Sequence, residues 1–296
     1  TTCSKSYATL QRLYHPKRLK YPMKRTKPKG SSDPGFVRIS WDEVYDTTVK
    51  HMKRIREKYG PHAVVFYVGD PKEPRASVQR LAATFGSVNY GDESSVACRK
   101  GALTAEILAY GFGTTGSPPN KDTRSMLIWG GNPPYSSSAN EWQNLLAAKE
   151  RGVKFVVVDP RNTPTANILA DVHLQPRLNS QAALAAGMMH VIFKEKLHDE
   201  EFCSKWINGI DELKEYVKTF TPEKAGALTG VPAKKIVDAA RIYAGNRPGG
   251  MRMSAQGTTH DTPAGNTHRA SLMIPASGGY LAGPGGVEAP TNPLAG

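Results

Sequence analysis

Two short apolar runs, separated by one helix-length of chain, constrain the fold of this sequence more than any other feature. Ser125–Trp129 reads Ser-Met-Leu-Ile-Trp, and Val153–Val158 reads Val-Lys-Phe-Val-Val-Val. Both runs are too short for helices and rich in the residue types that favour strands. Between them, a segment from about Ser138 to Glu150 has helical length and is closed by Gly152. Strand, helix, strand is a βαβ unit, which implies a parallel sheet with flanking helices. The first strand runs into Gly130-Gly131-Asn132-Pro133 and the second into Asp159-Pro160-Arg161. Ligands of such sheets sit beyond the carboxyl ends of the strands, so these loops are the first binding candidates.

The rest of the chain reads as a second α/β part and further helices. Residues 1–39 are basic and proline-rich, with Tyr14-His15-Pro16, Tyr21-Pro22 and Lys27-Pro28 breaking any helix, and are expected to be irregular. Ser40 then caps a helix, with Glu43 as its capping-box partner, and Gly60-Pro61 ends that helix after Tyr59. Ala63–Val68 is an expected strand, and Ala76–Thr84 and Lys100–Tyr110 are expected helices. Helices are also expected over Ser180–Glu195, Glu200–Asn208, Ile210–Thr219 and Pro232–Ala244. From Gly249 onward the chain is rich in glycine and proline and is expected to be mostly loop.

Length and charge bound the function classes. A chain of 296 residues is enough for about two domains. No run of about 18 apolar residues is present, so no membrane-spanning helix is expected. The chain begins at Thr1 without an apolar leader, which leaves cytoplasm and periplasm both open. Of the net charge of +13, residues 1–60 carry +10, from 15 Lys and Arg against 5 Asp and Glu. A basic arm can meet an acidic subunit or a phosphorylated cofactor. Nucleic acid is the weakest of the possible partners and none is expected, because interleaved stacking aromatics and a groove-reading helix are missing; a solvated basic face is the plain alternative. Cysteines at 3, 98 and 203 form no Cys-x-x-Cys unit and no disulfide framework.

One motif misleads. Gly111-Phe-Gly113-Thr-Thr-Gly116 matches the dinucleotide fingerprint, but that turn must follow a strand and open a helix. Here it follows a helix and leads into Ser117-Pro118-Pro119. Gly111 is therefore read as a helix C-cap, not as part of a nicotinamide site.

Several segments, in one order, resemble the dimethyl sulfoxide reductase family of molybdopterin oxidoreductases. Cys3-Ser-Lys5-Ser with Tyr14-His15-Pro16-Lys17-Arg18-Leu19 and Pro22-Met23-Lys24-Arg25 behind it resembles that family's exit from an iron–sulfur domain. Phe36-Val-Arg-Ile-Ser40-Trp41-Asp42-Glu43 resembles the start of its next domain. Trp129-Gly130-Gly131-Asn132-Pro133 and Val158-Asp159-Pro160-Arg161-Asn162-Thr163 resemble its two cofactor loops. Ala170-Asp171, Glu201-Phe202, Leu228-Thr229-Gly230-Val231-Pro232 and Gly283-Pro284-Gly285-Gly286 follow in the family's order. The resemblance divides the chain into the end of an iron–sulfur domain (1–39) and an α/β domain carrying the metal-ligand cysteine (40–120). A dinucleotide-binding-like α/β domain (121–270) and a return segment (271–296) follow. It also implies that three cluster cysteines upstream and a C-terminal pterin domain lie outside this sequence.

The same resemblance assigns roles. Cys98, in Val96-Ala97-Cys98-Arg99-Lys100-Gly101, falls where the family places its protein ligand to molybdenum or tungsten, and Arg99 is the neighbouring catalytic candidate. A thiolate is the soft ligand such a metal favours. Gly130, Gly131, Asn132, Asp159, Arg161 and Gln181 are implied contacts to a bis-molybdopterin guanine dinucleotide. Gln181 stands where an aspartate is usual. Cys3 is the implied last ligand of a [4Fe-4S] cluster, and Lys5 lies between cluster and pterin. Cys203 reads as core. His260, His268 and Arg269 are candidates for lining a substrate channel. The implied activity is two-electron chemistry on a small-molecule substrate, with electrons passing through the cluster to an iron–sulfur electron-transfer subunit. Formate oxidation is disfavoured, because those members follow the ligand with histidine where this chain has Arg99. A redox-neutral hydratase or lyase is the first alternative, favoured a little by Ser6, where most members have glycine. A non-catalytic nucleotide-binding fragment is the second.

Overall fold

Residues 2–95 and 96–296 form two units. The computed structural model describes residues 4–69, 73–93, 98–114, 116–137, 139–260 and 264–287. The first unit contains α1 (Ser4–Leu13), β1 (Met23–Arg25), β2 (Phe36–Arg38), α2 (Trp41–Tyr59), a 3-10 turn at Pro61–Ala63, β3 (Phe66–Val68), α3 (Arg75–Phe85) and β4 (Tyr90–Asp92). Helix α1 corrects the expectation of an irregular start, since the first helix-breaking proline is Pro16 and residues 4–13 carry none. Strands β1 and β2 pair antiparallel, and β3 pairs parallel with β4. The expected strand at 63–68 is shortened, because Pro61 fits the first position of the 3-10 turn that takes its beginning. Ser40 caps α2 by accepting from the Glu43 N–H at 3.1 Å. The reciprocal half of the capping box is absent. Instead the Glu43 carboxylate accepts from Lys24 Nζ at 2.9 Å and ties the helix to β1.

The second unit holds the βαβ expectation. Its elements are α4 (Lys100–Tyr110), β5 (Ser125–Trp129), α5 (Pro133–Ser136), α6 (Ala139–Glu150), β6 (Lys154–Val158), α7 (Pro164–Leu169), β7 (Val172–Leu174) and α8 (Gln181–Lys194). They continue with α9 (Glu200–Trp206), α10 (Ile210–Lys218), α11 (Pro222–Thr229), α12 (Ala233–Gly245), β8 (Gly249–Met253), α13 (Ala255–Thr259) and α14 (Ala264–Ser277). The sheet is wholly parallel in the order β7-β6-β5-β8. The chain steps outward from β5 to β7 and then returns to the other side of β5. The topological switch point, where such sheets open a crevice, therefore lies between β5 and β8.

Strand β5 is central, and all five of its residues are buried. Met126 and Ile128 join Phe155 and Val157 on one face, packed with Leu145 and Ala148 of α6 and Ala166 and Leu169 of α7. Leu127 and Trp129 join Val156 and Val158 on the other, packed with Leu184 and Met188 of α8 and Ile236 and Ala240 of α12. Double-sided burial explains why these strands read as continuous apolar runs rather than as alternation. Each such side chain contributes about 1.5–3 kcal/mol by leaving water.

The expectation of a loop after Gly249 is corrected by β8 and α14. Glycine is poor in strands, which hid β8 in the sequence, yet the sheet requires it there. A Cβ at Gly250 would fall 2.4 Å from Met126 Sδ, and one at Gly249 would fall 2.6 Å from the Tyr280 ring. Among the described residues no helix is long and apolar enough to cross a membrane.

Candidate functional site

The carboxyl edge of the sheet gathers the predicted loops. Gly130 leaves β5 with φ +67 and donates its N–H to Val158 O at 2.7 Å. Across the switch point, Ser254 leaves β8 and caps α13 by accepting from the Gly257 N–H at 3.1 Å. The two exits touch through glycine. A Cβ at Gly257 would lie 3.1 Å from Gly130 O and 3.2 Å from Gly130 Cα, so the backbones meet where no side chain fits. Gln181, the first residue of α8, holds this junction from below. Its oxygen accepts from Trp129 Nε1 at 2.6 Å and its amide donates to Gly257 O at 3.0 Å.

At the end of β6 the buried Asp159 accepts from Arg161 three times: from the backbone N–H at 2.9 Å, from Nε at 3.2 Å and from Nη2 at 3.3 Å. The hydrogen bonds and charge of Asp159 push the Arg161 guanidinium above its ordinary range, so it stays a cation. Asn132 Oδ1 accepts from Thr165 Oγ1 at 2.9 Å, joining the β5 loop to α7.

Cys98 lies two residues before α4 and is half-buried. Gln256 of α13 donates from Nε2 to its sulfur at 3.5 Å. Helix α4 packs on α13 and α14, and Gly101 faces the Thr259 side chain. The thiol and the β5–β8 junction are therefore joined through one short helix. Arg99 donates from Nη2 to Glu106 Oε2 at 2.8 Å. Glu106 is wholly buried and also accepts from the Thr114 N–H at 2.7 Å. Its other oxygen faces His268 Nε2 at 3.2 Å, and His268 Nδ1 lies 2.6 Å from Thr258 Oγ1. Burial pushes the Glu106 carboxyl up, but the hydrogen bonds and charges of His268 and Arg99 outweigh it. It ends below the ordinary value and is a carboxylate at neutral pH.

These contacts settle several sequence expectations. His268 is fully buried, whereas His260 and Arg269 are exposed. Cys203 is core, with burial pushing its thiol up to about 11. Gly111 is the left-handed C-cap of α4, with φ +80. Cys3 lies outside the described residues, and Lys5 is described only as part of the α1 backbone. Glu106, Gln256 and Thr258 were not anticipated. A single acid in an apolar helix and two polar residues in a glycine-rich tail carry no local signal of contact across 150 residues.

The family model for molybdopterin oxidoreductases matches residues 18–286. The chain belongs to that family. It is 32% identical over 291 residues to the "Probable oxidoreductase YoaE" of Bacillus subtilis (strain 168), covering 96% of this chain and 41% of that protein. It is 31% identical over 248 residues to the acetylene hydratase of Syntrophotalea acetylenica, covering 83% of this chain and 33% of the relative. It is 32% identical over 234 residues to formate dehydrogenase H of Escherichia coli (strain K12), covering 77% and 32%. The solved structure of acetylene hydratase from Pelobacter acetylenicus superposes with a TM-score of 0.78 at 28% identity, over 94% of this chain and 38% of that one. The chain thus spans well under half the length of these relatives.

Proposed function

We propose that this chain is the central part of a molybdenum- or tungsten-pterin catalytic subunit in which Cys98 ligates the metal. The observation that carries the reading is the position of the Cys98 sulfur against α13, the helix that also closes the β5–β8 junction. A soft donor and the phosphate-facing edge of a parallel sheet thereby share one wall.

The residues present suit a pterin dinucleotide. At Gly130 and Gly257 the exits meet where a Cβ would fill the approach, and Gly131 would meet only the Ile128 side chain. Asp159 and Arg161 supply an acceptor and a cation from one turn. Backbone N–H groups of residues 131 and 132 and the Arg161 guanidinium would hold phosphate, and Asp159 would accept from guanine or ribose. Gln181 fixes the junction and keeps one N–H for the nucleotide. Cys3 would contribute one of the four thiolates that a [4Fe-4S] cluster needs, and Lys5, two residues on in sequence, would lend it a positive charge. The cofactor, when bound, supplies two-electron chemistry to a small substrate. Such a cluster would provide the exit for electrons toward an iron–sulfur partner subunit.

The redox-neutral hydratase reading is supported by the likeness to acetylene hydratase in sequence and in structure. Turnover without any external electron donor or acceptor separates it from the oxidoreductase reading. Metal analysis of the native full-length protein after anaerobic purification tests both. Fewer than about 0.1 equivalents of molybdenum or tungsten, with no cluster signal, sinks them together. A Cys98→Ala variant that keeps full metal and activity removes Cys98 from its role.

A further inference from the structure

A wholly buried carboxylate is costly unless it is paired on all sides. Glu106 is such a group, and its partners among the described residues are Arg99, the Thr114 N–H and His268. Oε2 holds Arg99 and the Thr114 N–H, at 2.8 and 2.7 Å. Oε1 accepts from His268 Nε2 at 3.2 Å, and His268 reaches Thr258 of α13. Two residues before Thr258 on that helix, Gln256 donates to the Cys98 sulfur. Among the described residues this neutral amide, and not the guanidinium next in sequence, is the hydrogen-bond partner of the sulfur. The arrangement needs explanation, because a thiolate beside an arginine would otherwise attract it.

We propose that Glu106 is a positioning residue that draws Arg99 off Cys98 and, through His268 and Thr258, locks α13 so that Gln256 alone hydrogen-bonds the sulfur. This rests on the reading of Cys98 as the metal ligand. The consequence is electrostatic. A guanidinium at the sulfur would withdraw electron density and raise the reduction potential of the bound metal, whereas an amide does so less. Glu106 thus keeps the potential low.

The test uses the full-length, metal-loaded enzyme and reads the metal midpoint potential by a redox titration followed by electron paramagnetic resonance. Glu106→Gln keeps the shape of the side chain but releases the guanidinium. The ratio of reduced to oxidised metal at the wild-type midpoint should rise about tenfold, which is about 59 mV for a one-electron step. The double variant Arg99→Met/Glu106→Gln should return to within about twofold of wild type, since it carries no guanidinium to release. A purely structural ion pair predicts lower melting temperatures for both variants and no movement of the potential; that outcome overturns the proposal, as does a double variant that stays shifted. If Glu106→Gln does not fold, Arg99→Ala decides. Its potential should stay within about twofold of wild type, and a tenfold shift to the negative side would show that Arg99 already acts on the sulfur. Cys98→Ala in parallel separates the premises: metal retained there with an unchanged spectrum ends the ligand reading, whatever the Glu106 variants do.

Discussion

The indole N–H of Trp129 donates to the side-chain oxygen of Gln181 at 2.6 Å, inside the core beneath the β5–β8 junction. Both residues are buried, and the Gln181 amide continues the chain of contacts to Gly257 O at 3.0 Å. A neutral amide can accept and donate in this way, which a carboxylate at the same place could not. Replacing Gln181 with Leu leaves the Trp129 N–H and the Gly257 carbonyl without that partner. The expected loss is about 1–3 kcal/mol, and the melting temperature falls by roughly 2–4 °C for each kcal/mol. A Gln181→Leu protein melting with the wild type would show that the pair contributes nothing.

The cysteines should react unequally. Cys203 is fully buried, its S–H donates to Ser277 O at 3.4 Å, and burial pushes it up to about 11. At pH 8 its thiolate fraction is on the order of 0.1%, before access is considered. Cys98 is half-buried. Alkylation of the native, cofactor-free protein with iodoacetamide, read by peptide mass spectrometry, should label Cys98 at least about 100-fold faster than Cys203. Equal rates would mean that α9 and α14 do not shield Cys203.

How much of this was legible in the sequence follows from what each element depends on. β5 and β6 were, because double-sided burial writes itself as an apolar run. The Ser40 cap of α2 was, because capping is a contact over three residues. β8 was not, because its two leading glycines exist to clear Met126 and Tyr280, which come from elsewhere in the chain. The candidate site divides the same way. The glycine and Asp-Pro-Arg loops and Cys98 carry family-wide spelling. The Arg99–Glu106–His268–Thr258 connection depends on a contact between residues 162 positions apart and is visible only in three dimensions.

Acid should weaken the sheet edge through Asp171. This carboxylate accepts from the Phe155 N–H at 2.8 Å and from Lys149 Nζ at 2.9 Å, with Lys154 Nζ at 3.4 Å. Burial raises its pKa, but those hydrogen bonds and charges outweigh burial and leave it below the ordinary value. A depressed folded value means the stabilisation is complete above the unfolded value of about 3.9 and is lost as pH falls through the folded one. Asp171→Asn should therefore cost about 1 kcal/mol at pH 7, with the gap to wild type closing below about pH 4. Urea unfolding at both pH values measures it. A gap that persists undiminished at low pH would assign the effect to shape and not to charge.

The glycines of the misleading fingerprint offer the sharpest contrast. Gly116 has φ +102, bridges Arg252 of β8 in an antiparallel contact, and has no room for a side chain: a Cβ would lie 1.7 Å from Met251 O and 2.5 Å from Met251 C. These are backbone atoms of β8, which cannot swing aside as a flexible side chain could. Gly111 also has positive φ, but a Cβ there meets nothing within 4 Å. Gly111→Ala should therefore cost only the left-handed backbone penalty, about 1–2 kcal/mol. Gly116→Ala should cost at least about 3 kcal/mol, because β8 must move off β5 to admit it. A nucleotide-binding role would reverse the emphasis, with ligand affinity falling and unfolding midpoints little changed. Urea midpoints of the two variants, measured without ligand, decide between these: equal midpoints would mean that Gly116 does not brace β8, and a large gap would fix its role as a brace for the strand that carries α13 to Cys98.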